Sequence, residues 1–132
     1  MTFRISNLAA TALIDAYSLL LNGGTLKAYT GAQPVTVDTA ASGTLLASMA
    51  YQADSAPAGS AGVATITLPV SGVAVAAGDM GWARGYKSTG EAVFDGTITL
   101  AGNGGDLIAT NLTVAVDDVT QLTAQTFTAP KS

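Results

Sequence analysis

The chain has 132 residues and a formal net charge of −4, with 48% hydrophobic but only 11% charged residues, against about 25% charged in ordinary globular domains. It contains no Cys and no His, which excludes disulfides, thiolate chemistry and a Ser-His-Asp triad, and removes the commonest general base and metal ligand. Its five cations, Arg4, Lys27, Arg84, Lys87 and Lys131, form no stripe, so direct nucleic-acid binding is not expected.

One domain spanning 1–132 is expected. In chain order, Asn7 is placed to cap a helix over 8–21. Thr11, Asp15, Ser18 and Asn22 follow at spacings of four, three and four, one narrow polar stripe of a helix. Leu13, Tyr17 and Leu20 lie opposite and are expected to be buried. Asp15 interrupts the apolar run, which is too short for a confident membrane span and lacks a clean cleavage site, so no signal peptide and no membrane partner are expected. Asn22-Gly23-Gly24 ends the helix.

Strands are expected over 24–129. Thr25–Thr30 and Thr44–Tyr51 are separated by the loop Gly31–Gly43. Gln52–Gly62, rich in Ala, Ser, Gly and Pro, is a second loop. Val63–Val70 alternates, with Ala64, Ile66, Leu68 and Val70 predicted to face the core. Ser71–Asp79 is a connection with a short strand at Val73–Val75. In Gly81–Gly96, Trp82, Arg84 and Tyr86 alternate with Ala83 and Gly85, Lys87–Gly90 forms a turn, and Glu91–Phe94 returns. The only Trp, with Tyr86 and Phe94, marks this hairpin as the centre of a sheet. Asp106–Ile108 is ambiguous, Asn111–Val116 alternates, Asp117-Asp118 turns, and Val119–Ala129 is a Thr-rich final strand. One helix and seven or eight short strands predict a mainly β fold: a β-sandwich of jelly-roll or related topology with one N-terminal α-helix.

The nine carboxylates show no calcium-loop spacing, and Gly102–Gly105 lacks the Lys-Ser/Thr of a phosphate loop. Asp117-Asp118 reads as a solvated turn, and Asp79 and Asp95 as turn residues that could approach across the hairpin ends. No catalytic, cofactor-binding or metal-binding residue is assigned, no cofactor is expected, and the chain is not expected to be an enzyme. Trp82 or Tyr86 as a sugar-stacking platform is the carbohydrate-binding alternative, with core packing as the ordinary reading. The scarcity of charge suggests that much of the surface is covered by other subunits.

The order Ile5-Ser6-Asn7, a helix, Gly-Thr-Leu-Lys-Ala-Tyr-Thr-Gly-Ala-Gln-Pro at 24–34, Thr44-Leu45-Leu46-Ala47, Gly81-Trp82-Ala83-Arg84, Ala92-Val93-Phe94-Asp95-Gly96 and a Thr-rich end with Pro resembles a family of small virion structural proteins of tailed bacteriophages. The resemblance implies a capsid decoration (cement) protein, similar to the jelly-roll cement proteins of short-tailed phages, or alternatively a minor tail protein. It further implies the major capsid protein as partner, a homo-oligomer (dimer or trimer) on the lattice, and a protein made in the host cytoplasm and located at the capsid surface. The loops 31–43 and 52–62 and the chain ends are the expected contacts, with weak salt dependence.

Overall fold

The computed structural model describes residues 4–128. It is mainly β with one N-terminal helix. Helix α1 (Asn7–Leu19) is followed by ten strands: β1 (Thr25–Tyr29), β2 (Leu45–Ala50), β3 (Val63–Thr65), β4 (Val70–Ala74), β5 (Gly78–Asp79), β6 (Trp82–Tyr86), β7 (Ala92–Thr99), β8 (Leu107–Ala109), β9 (Thr113–Val114) and β10 (Val119–Thr128). The last residue expected in the final strand, Ala129, lies outside the described residues.

The main sheet runs β3-β10-β4-β2-β1-β6-β7-β8, and β10 pairs with β8 as well. That extra pairing closes seven strands into a barrel. β10 is long enough to serve both edges. Its residues 119–122 pair with β4 on one side, 122–125 with β8 on the other, and 126–128 with β3 where β4 has ended. A register shift between Leu122 and Ala124 marks the changeover, the kind of irregularity that bends a strand around a closing sheet. The expected jelly-roll sandwich of two facing sheets is not what these pairings form. Alternation fixes which face of a strand is buried, whereas closure depends on which distant edges meet.

Small inward residues let so few strands close. Ala28, Ala47, Ala74, Ala83 and Ala109 line the lumen between Leu26, Met49, Val70, Ile98, Leu107 and Leu122, all buried. Gly85 faces Phe94 across β6 and β7, and an added Cβ there would overlap the Phe94 ring. The ring fills the space that the glycine leaves.

Local details differ from the sequence reading in several places. Ser6, not Asn7, is the N-cap, its Oγ accepting from Ala9 N at 3.1 Å. The expected strand 63–70 divides into β3 and the start of β4, so Leu68 is exposed while Ala64, Ile66 and Val70 are buried. Only Thr113–Val114 of the 111–116 segment is a strand. The hairpin turn is as expected: Gly90 has φ +99°, and Lys87 N donates to Glu91 O at 2.9 Å.

Candidate interaction surfaces

The outer face of β1, β6 and β7 is built by register. Tyr29 lies opposite Trp82, Lys27 opposite Arg84, and Arg84 opposite Asp95. Residues opposed across a ladder share a face. Tyr29 therefore stacks on Trp82, with ring centroids 4.7 Å apart and planes 18° apart. The Arg84 guanidinium lies 5.3 Å from the Trp82 ring and makes a two-pronged ion pair with Asp95, Nε–Oδ1 2.6 Å and Nη2–Oδ2 3.0 Å. Such forked pairing is the strong form of the Arg–carboxylate contact. The bond to Asp95 raises the Arg84 pKa further above its ordinary value. Burial, then the hydroxyl contact to Tyr86 at 3.0 Å, raises that of Tyr29. Lys27 lies over the Tyr86 ring at 5.1 Å.

Trp82 is 0% exposed. It is buried as expected, yet outside the lumen rather than in the main core cluster. A covered ring offers no face to a sugar, so this wall does not supply the stacking platform considered for Trp82.

Helix α1 is oriented opposite to its sequence reading. Its polar stripe points inward, toward the 52–62 loop. Thr11 Oγ1 accepts from Gly62 N at 3.0 Å, Asp15 Oδ1 from Gly59 N at 2.7 Å, and Asn22 Oδ1 from Ser55 N at 2.8 Å. Ser55 Oγ donates to Ser18 O at 2.6 Å. The loop has backbone donors that no strand satisfies, and buried donors must be paired. Ala10, Ile14 and Leu21 pack beside this clasp, and Tyr17 meets Phe127 edge-on at 4.9 Å. Leu13 and Leu20, expected in the core, are exposed, and so are Leu8 (83%) and Leu19 (66%). The exposed helix face, with Ala9, Ala12 and Ala16 between these leucines, carries no charge. The polar spacing of α1 was legible; that it matched unsatisfied N–H groups near Gly59 and Gly62 was not.

The opposite end of the barrel gathers three segments. Gly81 N donates to Tyr29 O, Val75 N to Leu46 O, Met80 N to Leu112 O, and Asp117 N to Ala74 O. These bonds, with Gly81 packed against the Gly31 backbone, bring the base of the 31–43 loop, the 75–81 segment and the 110–119 segment together. Val73 and Val119 are register partners, and with Val75 and Val116 they are exposed around the Ala74–Asp118 contact. Val35 in the long loop is 99% exposed. These three segments hold Asp38, Asp79, Asp117 and Asp118 and contain no Lys or Arg.

The carboxylates singled out from sequence are placed apart. Asp79 Oδ1 accepts from Thr113 Oγ1 at 2.7 Å, Asp95 is held by Arg84, and Asp118 Oδ2 accepts from Ala115 N at 2.8 Å. Asp117 takes φ +75° in its turn. Among the described residues, no group of three or more metal-binding side chains stands together. Two shallow clefts are present. One, of about 220 Å³, lies between Tyr17, Phe94, Asp106 and Phe127; the other, of about 280 Å³, lies between Leu19, Asp54 and Pro57. No helix among the described residues is long and apolar enough to cross a membrane.

Comparison with protein-family models, curated proteins and solved structures finds no match to this chain.

Proposed function

We propose that this protein is a structural component of a tailed-phage virion that binds the outside of the assembled capsid as a cement protein, with the major capsid protein as its partner. The observation that carries the reading is the uncovered valine surface formed by Val73, Val75, Val116 and Val119 at the loop end of the barrel. Contiguous exposed apolar surface rimmed by polar residues marks a place where another molecule sits. The resemblance in motif order makes a capsid shell the expected partner. A closed barrel has few free edges and suits a clamp that must not deform, so the role does not depend on a jelly-roll sandwich.

Ligand binding to an assembled state adds its free energy to the stability of that state, so many weak contacts would reinforce the shell. Four carboxylates at the loop end, with no cation beside them, call for a capsid surface that carries Lys or Arg around an apolar centre. That changes the expected salt response from weak to moderate: affinity falls several-fold from about 50 to about 500 mM salt. The test compares virions with and without the protein for DNA release on heating or osmotic shock. Lower release temperatures in its absence support the role. Equal robustness, or labelling confined to the tail, rejects it in favour of a minor tail protein.

A further inference from the structure

The outward face of α1 needs a partner of its own. It lies at the end of the barrel away from the valine surface. Gly23 N donates to Gln52 O, and Tyr51 N to Gly24 O, which anchors the helix and the 52–62 loop at that end. Leu8, Leu13, Leu19 and Leu20 together expose roughly 400 Å² of leucine, comparable to the largest apolar patch of a typical monomer.

We infer that this face binds the same face of a second copy, with the two helices antiparallel about a two-fold axis. Three features fit such a pair. First, Ala12 and Ala16 lie along the middle of the exposed face with leucines on either edge, so the helix axes can approach closely at the centre and interdigitate at the sides. Second, Leu8 and Leu19 stand on the same edge, eleven residues and about 16 Å apart. A two-fold axis midway between them brings Leu8 of each copy to Leu19 of the other. Leu19 borders the cleft of about 280 Å³ whose other wall is Asp54, Ala56, Pro57 and Ala58. The most exposed leucine of one copy thus meets, beside Leu19, an open cleft on the other that Ala56, Pro57 and Ala58 line together with Asp15, Ser18 and Asp54. Third, the charges are complementary in this orientation only. Arg4 precedes the helix and Asp54 lies beside its C-terminal end. Antiparallel copies place each Arg4 near the other copy's Asp54, and the opposed helix dipoles agree. A parallel pair would set Arg4 against Arg4.

The buried area is below the roughly 800 Å² per partner of a standard interface. The pair is therefore expected to be a weak, concentration-dependent dimer in solution. This inference does not rest on the virion reading, since it concerns the isolated protein.

The test is sedimentation velocity on the purified chain from about 10 μM to about 1 mM. The average mass should rise from the 13.1 kDa monomer toward the dimer. Leu19→Glu should stay monomeric throughout. Arg4→Glu and Asp54→Arg should each weaken the dimer about three- to ten-fold, because symmetry breaks both copies of the pair, and the double variant should recover most of the loss. The chain has no native cysteine. Leu13→Cys, near the two-fold axis, should form a disulfide-linked dimer under mild oxidant, and Val35→Cys at the other end should not. Near-ultraviolet circular dichroism from Trp82 checks that each variant is folded. A monomer at the highest concentration, a Leu19→Glu protein that dimerises like the wild type, or cross-linking through Val35 but not Leu13 overturns the inference. So does a face that stays unpaired in solution and cross-links in particles only to another protein.

Discussion

The outer face of β1–β6–β7 and the outer face of α1 are both exteriors furnished with large apolar side chains, yet they are finished differently. On the sheet, Tyr29 stacks on Trp82, Arg84 lies over the same ring, and Asp95 closes the set, leaving Trp82 fully covered. On the helix, Leu8, Leu13, Leu19 and Leu20 are left bare while the polar residues turn inward. Side chains covered by their own chain contribute to stability. Side chains left uncovered contribute only when something else arrives. The same contrast separates the sheet wall from the valines of the loop end.

Substitutions in the wall should therefore have the largest effect on folding. Trp82→Ala should cost about 3–5 kcal/mol in urea unfolding, the range for truncating a buried aromatic. Asp95→Ala should be comparably severe, about 3–5 kcal/mol, because it leaves the Arg84 guanidinium buried without its partner. A change under about 1 kcal/mol for either would show that the wall is not self-supporting. Phe94 is only partly buried, packed against Phe127 at 6.0 Å, so Phe94→Ala belongs nearer 2 kcal/mol than the fully buried range.

The inward clasp of α1 comes next. Asp15→Ala removes the acceptor for Gly59 N and should cost about 1–2 kcal/mol, with faster amide exchange at Gly59. A neutral result would return Asp15 to the solvent face where the sequence placed it. Removing residues 1–22 altogether should expose Tyr17's partner Phe127 and the 52–62 loop, and leave the chain unfolded or aggregating.

Titration gives a smaller effect with a definite sign. Burial raises the pKa of Tyr17, Tyr29 and Tyr51 above the ordinary value of 10.0. These groups hold their protons more tightly in the fold than in the unfolded chain. Their contribution is complete below about pH 10 and is lost as pH rises beyond it, when the unfolded chain ionises first. Melting temperature should fall from about pH 10 upward and stay nearly flat between about 6 and 9, since no His is present to titrate there. A melting temperature unchanged at about pH 11.5 would contradict the burial of these hydroxyls.

The smallest effects on folding belong to the bare surfaces. Leu8→Glu and Val116→Asp should each change unfolding free energy by no more than about 0.5 kcal/mol. A large loss from either would mean that the surface is covered by the protein's own chain.

What was legible in the sequence follows what is local. The period of Trp82–Tyr86, the Gly90 turn and the existence of the N-terminal helix were readable, because each depends on neighbouring residues, although the helix ends at Leu19 with Leu20 as its C-cap rather than running to Leu21. The barrel was not, because closure rests on β10 meeting both β4 and β8, with one parallel pairing between β7 and β8. The orientation of α1 was inverted for a similar reason. An amphipathic pattern assigns its apolar side to the interior by default, but here the interior offered hydrogen-bond donors from Ser55, Gly59 and Gly62. The acidic loop end was equally hidden, since Asp38, Asp79 and the pair Asp117-Asp118 lie on three separate segments that only the fold brings to the same end of the barrel.

The most direct test of the account is quantitative binding to capsid shells from which the protein has been stripped. Wild-type protein should bind saturably to assembled shells and not to dissociated capsid subunits. The double variant Val116→Asp/Val119→Asp should lose at least about ten-fold in affinity while remaining as stable as the wild type and keeping its helix-mediated dimer. Variant and wild type binding equally well, or neither binding assembled shells, would contradict the assignment of the valine surface as the capsid-facing side.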